Sequence, residues 1–431
     1  MLHKKLNKFL LFLYAFLSGL KIDLVGKLAF GDLIAVIYSI LTIKNWKRYY
    51  KRIPDIKRIH YSLALFLIIQ VISDLYNESS FSNMSRGCSN IIMAALVIIY
   101  LTQVLFKTFS ALPLIFIGFG LSVLIFGVDI VKDHEVSIND MGFFKFRVVP
   151  ILNNLLFGGV LLMNARKKIS PRAVGYVFIF FGLFCISFDA RSNGMFFFFS
   201  GFIVINKSIF KRFTLKNMVW ILPVFIIVFQ SLYSFYVAGV LAGTIKSEQT
   251  KTQLARVSDP YNPLHLLAAG RTEIFASLAA IGDNPILGHG SWAKDTGGKY
   301  HMIIASLAQG EDNFYYIFEK EGDKDLLIPT HSILTGAWVS GGIFAFFAVL
   351  NILYIYLRKA VLLFKINSFR NSLYFPLITF FTLNIIWVFF FSPLQELKST
   401  VPLPLVLIFV LFEKFSINES QKLHRYSLKQ L

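Results

Sequence analysis

Two stretches of the chain contain side chains that could together hold an anion and move a proton. The first, residues 270–290 (GRTEIFASLAAIGDNPILGHG), has Arg271 at the start of a short helical pattern. The second, residues 329–332 (PTHS), has His331 at the entrance of a long apolar segment. A fixed cation beside a helix N-terminus favours an anion, and a neutral imidazole can accept a proton near pH 7. This combination is suited to transfer chemistry on an anionic substrate.

The helix that follows Arg271 is predicted from the spacing of its apolar residues. These residues recur at i, i+4 and i+7, which is typical of an amphipathic helix. Ile274, Phe275, Leu278 and Ile281 fall on one face of this helix, and Arg271 lies one turn before them on the same face. Gly282 and Pro285 are expected to end this helix.

Composition indicates what surrounds these residues. Hydrophobic residues make up 56% of the 431 residues, 47 are phenylalanine, and the mean hydropathy is +0.63. A soluble chain of this length is not so apolar. We therefore predict an all-α, polytopic integral membrane protein. The first apolar run follows two lysines but no small-residue cleavage site follows it, so we interpret it as an uncleaved first span.

Apolar runs predict about twelve transmembrane helices. They cover about 6–20, 28–43, 59–73, 90–106, 111–128, 148–163, 173–188, 195–206, 218–240, 331–356, 372–391 and 401–412. With both termini cytoplasmic, the inner segments hold 27 of the 43 Lys and Arg, as the positive-inside rule expects. The net charge of +19 is thus mainly a topology signal, and the basic residues 44–58 are expected to face anionic lipid. Nucleic acid is not an expected partner, because the basic residues are dispersed.

The spans divide the chain into three parts. Residues 1–242 form an N-terminal bundle of about nine spans, 243–330 a large and partly helical periplasmic loop, and 331–431 a C-terminal bundle of about three spans with a cytoplasmic tail. A connection as long as 243–330 is usually functional. The loop is expected to lie outside the cytoplasm, where ATP and nucleotide sugars are absent, so a substrate must arrive there already activated.

Two more arginines lie at predicted outer ends of spans. Arg191 is in a very short turn, and Arg147 is at the entry of another span. With Arg271 they could hold phosphate through bidentate hydrogen bonds, although single arginines at membrane edges commonly reach lipid headgroups instead. Glu273 and His289 are possible supporting residues.

A metal site is not expected. His265 and His301 share the long loop with His289, but their spacing is not that of metal ligands. Asp323 and Asp325 form an Asp-x-Asp pair, yet they lie in a run of mixed charge that is typical of a solvated turn.

Four places in the sequence resemble the O-antigen polymerase and O-antigen ligase superfamily of bacterial envelope glycosyltransferases. They are the outer turn 190–193 (ARSN), the stretch 270–290 with its PILGHG ending, the segment 330–342 (THSILTGAWVSGG), and Arg147 before Pro150 and residues 153–154. The resemblance covers about residues 140–345. Ser332 stands where the family more often has Asn, and Ala190 where Ser or Thr is common.

The resemblance implies an inverting glycosyltransferase without metal or other cofactor. Its donor would be a glycan linked through pyrophosphate to undecaprenol, presented at the periplasmic face of the inner membrane. Arg191 and Arg271, helped by Arg147, would bind the pyrophosphate, and His331 would be the general base. A second lipid-linked glycan as acceptor would make a polymerase, whereas lipid A-core would make a ligase and a protein side chain an oligosaccharyltransferase. A chain-length regulator is a possible partner.

A transporter, such as a lipid-linked oligosaccharide flippase, is the alternative from another class. Transporters tend to show related halves and ionisable groups at mid-membrane. Here Asp32 and Asp74 lie towards the ends of their spans, and no internal repeat is visible. A non-catalytic scaffold would leave the ordered Arg and His motifs unexplained.

Overall fold

The computed structural model describes residues 2–427 except 25, 128–142, 166–168, 189, 209–214, 246–247, 256, 258, 264, 266–269 and 308–325. Regular structure in these residues is almost entirely helical, in agreement with the predicted all-α class. One antiparallel hairpin, Lys21–Leu24 (β1) with Gly26–Ala29 (β2), was not predicted. Asp323 and Asp325 lie outside the described residues.

The α-helices with described bounds follow the predicted spans closely. In chain order they are Leu2–Phe16 (α1), Phe30–Leu41 (α2), Trp46–Arg52 (α3), Pro54–Tyr76 (α4), Phe81–Lys107 (α5), Leu112–Phe126 (α6), Val149–Ala165 (α7), Pro171–Ser187 (α8), Arg191–Ile205 (α9), Leu215–Leu241 (α10), Glu248–Ala255 (α11), Glu273–Asp283 (α12), Lys299–Leu307 (α13), Ile333–Lys365 (α14), Asn367–Arg370 (α15), Tyr374–Phe391 (α16), Glu396–Ser399 (α17) and Pro402–Ser427 (α18). Each predicted span overlaps one of them.

Seven of the described helical stretches are long and apolar enough to cross a membrane. They are Pro54–Tyr76, Phe81–Lys107, Phe109–Phe126, Phe144–Met163, Ile333–Lys365, Tyr374–Phe391 and Glu396–Ile417. Three shorter apolar helices, α2, α8 and α9, accompany them. The chain is therefore a multi-pass, all-α membrane protein, while the count of twelve crossings stays a prediction.

Aromatic side chains fill the contact between helices that are distant in sequence. Phe197 of α9 stacks on Phe157 of α7 with ring centroids 5.4 Å apart, and it meets Phe380 of α16 at 4.4 Å. All three side chains are at most 4% exposed. Each such aromatic pair contributes about 0.5–1.5 kcal/mol beyond its buried area. These contacts fix α9 relative to α16.

Glycines bring α8 and α9 into close contact. A Cβ added at Gly194 would lie 2.6 Å from the carbonyl oxygen of Gly182, and one at Gly201 would collide with the carbonyl of Gly175. Small residues allow this approach between membrane helices, where packing is a main source of stability. Arg191, the first residue of α9, therefore has a fixed position at one end of the α8–α9 pair.

Helix α14 is broken at Gly342, where φ is +72°. The turn 285–290 fills the break, and a Cβ at Gly342 would collide with the carbonyl oxygen of Ile286. The hydrogen bonds across the break are His289 N to Val339 O (2.7 Å), Gly290 N to Ser340 O (3.0 Å) and Ile343 N to Pro285 O (3.0 Å). Irregular backbone in a membrane protein is tolerated where other protein groups satisfy it, as they do here.

Polar side chains of α4 hold the same turn from the other side. Ser73 donates its hydroxyl to the carbonyl of Ser340 at 2.7 Å. The carboxylate of Asp74 accepts the backbone N–H of Ser291 at 2.5 Å and its hydroxyl at 2.8 Å. Asp74 is only 1% exposed, so these bonds replace the water that it gives up. The loop after residue 243 is thereby attached to the membrane bundle.

Candidate functional site

His331 is held by contacts from two other helices. Ser277 of α12 donates its hydroxyl to the carbonyl of Pro329 at 3.1 Å, which fixes the loop before the histidine. Ser332 caps α14 by accepting a backbone N–H of its first turn at 3.1 Å, and it donates to the carbonyl of Phe389 in α16 at 3.0 Å. Serine and asparagine are both strong N-cap residues, so Ser332 keeps the capping function. The two stretches predicted to act together are therefore neighbours.

The face that α12 buries is not the one that carries its largest apolar residues. Ile281 is buried, but Phe275 and Leu278 are 42% and 53% exposed. The buried face contains mainly small residues: Ala276, Ser277, Ala280 and Ile281. Small side chains let α12 lie close against the first half of α14, and this contact outweighs the burial of two larger residues. Helix α12 begins at Glu273, so Arg271 lies just outside it.

Arg271 and Arg191 each lie over an aromatic ring, and the ring beside Arg271 contacts the helix that Arg191 begins. The Cζ of Arg271 is 5.8 Å from the ring centroid of Trp387 in α16. Trp387 contacts Phe196 of α9, the helix that Arg191 begins, with ring centroids 5.8 Å apart. The Cζ of Arg191 is 6.0 Å from the ring centroid of Tyr236 in α10. Cation–π contacts at such distances orient guanidinium groups without neutralising their charge.

The charge of Arg191 acts on the guanidinium group of Arg271. Burial lowers the pKa of Arg271, the carboxylate of Glu273 raises it, and the positive charge of Arg191 lowers it. Arginine remains protonated in proteins, so the two positive charges persist and repel. An anion bound between them would remove this repulsion, and phosphate groups match guanidinium geometry well.

His331 lies within the electrostatic reach of the same groups. Burial lowers its pKa from the ordinary value of 6.5, and the charge of Arg271 lowers it further. The carboxylates of Glu273 and Glu396 act in the opposite direction, but the net direction is downward. The imidazole is therefore neutral at neutral pH and able to accept a proton.

Two buried polar atoms beside His331 have no hydrogen-bond partner among the described residues. They are Oε2 of Glu273, at the start of α12, and Oγ1 of Thr335, in the first turn of α14. More than nine in ten buried polar groups in native structures are paired, and leaving one unpaired costs about 1–3 kcal/mol. A polar ligand or ordered water would supply the missing hydrogen bonds.

Glu396 is a site residue that the sequence analysis missed. It begins α17, and its Oε2 accepts the hydroxyl of the last residue of that helix at 2.7 Å. The preceding loop packs on the segment after His331, because a Cβ at Gly336 would lie 3.2 Å from the Cβ of Leu394. Acidic residues are common on the predicted outer side, so nothing in the sequence distinguished Glu396 from the others.

The side chain of Arg147 bonds to a neighbouring helix, whereas the residues around it pack near Arg191: Phe144 stacks on Phe188 at 4.2 Å, and Val149 packs with Ala190. It lies in the π-helical turn Phe144–Val148, and its Nη2 donates to the carbonyl of Leu124 at the end of α6 at 3.2 Å. Its Cζ is also 5.7 Å from the ring centroid of Phe143. These contacts use Arg147 to join two neighbouring helices.

His289 supports the turn that fills the break in α14. Its Nε2 lies 2.8 Å from the carbonyl oxygen of Ala280 in α12, and its ring meets Tyr300 edge-on at 6.1 Å. The histidine thus connects the turn with α12. This position is one step removed from Arg271 and His331.

The described residues contain no group of three or more His, Cys, Asp or Glu side chains that could hold a metal ion. His301 pairs instead with the buried carboxylate of Asp295, which accepts its Nδ1–H at 2.7 Å. Asp295 also accepts the backbone N–H groups of Tyr300 and His301 at the start of α13. His301 is therefore part of a helix-capping arrangement.

Comparison with known proteins provides no match from which a function could be assigned. No family model matches the chain, no curated protein matches it, and no solved structure matches it. The resemblance drawn from the sequence thus depends on its own motif residues. Three of these, Arg191, Arg271 and His331, come from separate stretches and lie in one region.

Proposed function

We propose that the protein is a membrane glycosyltransferase of the O-antigen polymerase and ligase type. In this proposal it polymerises undecaprenyl-pyrophosphate-linked oligosaccharide repeat units at the periplasmic face of the bacterial inner membrane. The observation that supports the proposal is that Arg271 lies over Trp387, which contacts the helix that Arg191 begins, while the helix after Arg271 is hydrogen-bonded to the loop before His331. Such a cluster is typical of a site that binds a multiply charged anion and transfers a proton.

The arginines bind the donor. The two phosphates of the pyrophosphate would lie between Arg191 and Arg271, whose repulsion is relieved when the donor binds. As the glycosidic C–O bond breaks, negative charge grows on the departing undecaprenyl pyrophosphate. Positive groups already fixed at that place stabilise the transition state, and losing one such group typically costs about 10²–10³ in rate. Glu273 orients Arg271 through its adjacent carboxylate.

His331 activates the acceptor. Its neutral imidazole takes the proton from the acceptor hydroxyl while the oxygen attacks the anomeric carbon, so the configuration at that carbon inverts. The carboxylate of Glu396 stabilises the resulting imidazolium, because an opposite charge nearby favours the charged form. Glu396 is thus a positioning residue rather than one that touches the reacting atoms. Since the guanidinium groups supply the positive charge, the proposal needs no metal ion.

The test is reconstitution of the purified protein with the cognate undecaprenyl-pyrophosphate repeat unit as sole substrate, in the presence of EDTA. Gel separation of the products should show a ladder of lengthening glycans. The His331→Ala variant, matched for folded yield, should show none. Without a ladder from the wild-type protein, the polymerase proposal fails.

The same preparation separates the related activities. If lipid A-core is added and becomes capped in the absence of any ladder, the protein is a ligase. If neither product forms, a fluorescent lipid-linked oligosaccharide in proteoliposomes measures flipping across the bilayer. A flippase would retain its rate in the His331→Ala variant, whereas a transferase loses its activity.

A further inference from the structure

A basic cavity lies at the end of α14 that is remote from His331. Its volume is about 250 Å³, and it is placed between the first turns of α4 and the second half of α14. The residues that line it are Pro54, Asp55, Arg58, Ile355, Arg358, Lys359 and Leu362. Nothing in the proposed glycosyl transfer uses this region. The charge distribution predicts that it faces the cytoplasm.

The charged side chains of the cavity have a net positive charge even after their ion pairs are counted. Asp55 accepts the Nη1 of Arg58 at 3.2 Å and the Nζ of Lys359 at 2.5 Å. No partner of Arg358 is found among the described residues. Three cations therefore face one carboxylate, and the cavity keeps an excess of about two positive charges. The carboxylate of Glu413 interacts with Lys359 and with Arg52, and counting Glu413 and Arg52 together leaves the excess at about two.

The walls of the cavity have two chemical characters. Arg58 is on the open side, with 58% of its side chain exposed, whereas Lys359 is only 16% exposed and lies 4.0 Å from the ring centroid of Phe412. Ile355 and Leu362 form an apolar wall on the same face of α14. A charged mouth above an apolar wall matches an amphiphile with an anionic head better than it matches a small soluble anion.

We propose that this cavity binds an anionic phospholipid. The phosphodiester lies between Arg58 and Arg358, and an acyl chain runs along Ile355 and Leu362. Guanidinium groups hold phosphate oxygens through paired hydrogen bonds, which gives the site selectivity over zwitterionic lipids whose own ammonium group competes. Lys359 remains paired with Asp55 and fixes the second half of α14 to α4. The proposal is independent of the glycosyltransferase function.

The experiment is native mass spectrometry of the full-length protein after equilibration with vesicles of phosphatidylglycerol or phosphatidylcholine. The wild-type protein should retain phosphatidylglycerol and not phosphatidylcholine. The double variant Arg58→Gln and Arg358→Gln should weaken retention by at least about tenfold, because it removes both guanidinium groups that would hold the phosphodiester through paired hydrogen bonds. The matched control, Lys47→Gln with Lys51→Gln, removes the same charge from exposed residues of the same basic region and should retain the lipid.

Three outcomes overturn the proposal: equal retention of both lipids, equal loss in both double variants, or displacement of the lipid by the same concentration of inorganic phosphate, which would make the ligand a soluble anion. If the arginine double variant does not fold, phenylglyoxal labelling of the wild-type protein provides a second test. Phosphatidylglycerol, and not phosphatidylcholine, should then slow the modification of Arg58 and Arg358. Unchanged labelling also overturns the proposal.

Discussion

Two polar regions on the first half of α14 are built in opposite ways. At the break around Gly342, the turn 285–290 and the side chains of α4 provide hydrogen bonds to the exposed backbone groups, and the buried Asp74 accepts two bonds. Around His331, two arginine charges repel each other, and Glu273 and Thr335 each have a buried oxygen with no partner in the described part of the chain. The two regions are on the same helix and are less than four turns apart.

We infer from this difference that the break at Gly342 has a structural role and that the region around His331 has a functional one. A buried polar region whose members are bonded to each other stabilises one conformation and leaves nothing for a ligand. A region with mutual repulsion and missing hydrogen bonds is less stable by itself and gains when a ligand binds. We therefore expect substitutions at the break to abolish folding and substitutions around His331 to abolish activity while the protein remains folded.

The largest effect is expected at Gly342. In Gly342→Ala, the new Cβ collides with the carbonyl of Ile286 and the residue must keep a φ of +72°. A cost on the order of 5 kcal/mol follows from the combined clash and strain, enough to prevent accumulation of folded protein. The yield of monodisperse protein in detergent measures it. Gly282→Ala, where a Cβ meets nothing within 4 Å, is the control and should give normal yield.

The second effect concerns His331 and should spare folding. His331→Ala should reduce glycan transfer by about 10²–10⁴, which is the range for losing a general base. Size-exclusion behaviour and thermal stability should match those of the wild-type protein. A folded His331→Ala protein with near-normal transfer would exclude the proposed base.

The third effect compares two arginines of which only one lies near His331. Arg271→Gln should lower the transfer rate by about 10²–10³, as expected when one group that stabilises a developing anion is removed. Arg147→Gln should lower it by less than about tenfold, because Arg147 is bonded to the end of α6. Initial rates at saturating donor measure both. Equal losses in the two variants would indicate that Arg147 also binds the pyrophosphate.

The smallest effect is a shift in pH dependence. Only the neutral imidazole acts as a base, so transfer should fall as the pH drops through the pKa of His331, which lies below 6.5. Glu396→Gln removes a charge that favours the imidazolium, hence lowers the pKa of His331 further and moves this acidic limb to lower pH. We expect a shift of less than about one pH unit.

The same shift can be measured without activity. The rate at which diethyl pyrocarbonate modifies His331, followed by peptide mass spectrometry across pH, reports the neutral fraction of the imidazole. Glu413→Gln, at the remote end of the bundle, is the control and should leave the midpoint in place. If Glu396→Gln left it unchanged as well, Glu396 would not be a partner of the histidine.

Two local features of the site could be predicted from sequence: the helix after Arg271, which ends before Pro285, and the helix entrance at His331. The break at Gly342 could not. Residues 331–356 are mostly apolar, and although residues 340–342 (SGG) are of a kind found at kinks, glycine is too common inside membrane helices to mark a break by itself. The buried face of α12 was not predicted, since close approach to α14 buries Ala276 and Ala280 and leaves Phe275 exposed. Glu396 depends on tertiary contacts that local patterns do not contain.

The contact between α4 and the break has a consequence for biosynthesis. Ser73 and its acceptor Ser340 are 267 residues apart in the chain. At about 5–20 residues per second, translation takes roughly 15–50 seconds to cover that distance. During this interval α4 is already made, but Ser73 has no carbonyl to meet, and Asp74 has no turn to bind until Ser291, 217 residues later, has been synthesised. Helix α4 must therefore stay accessible to the later part of the chain until α14 emerges, and a chain that stops before residue 291 exposes the unsatisfied carboxylate of Asp74 to cellular quality control.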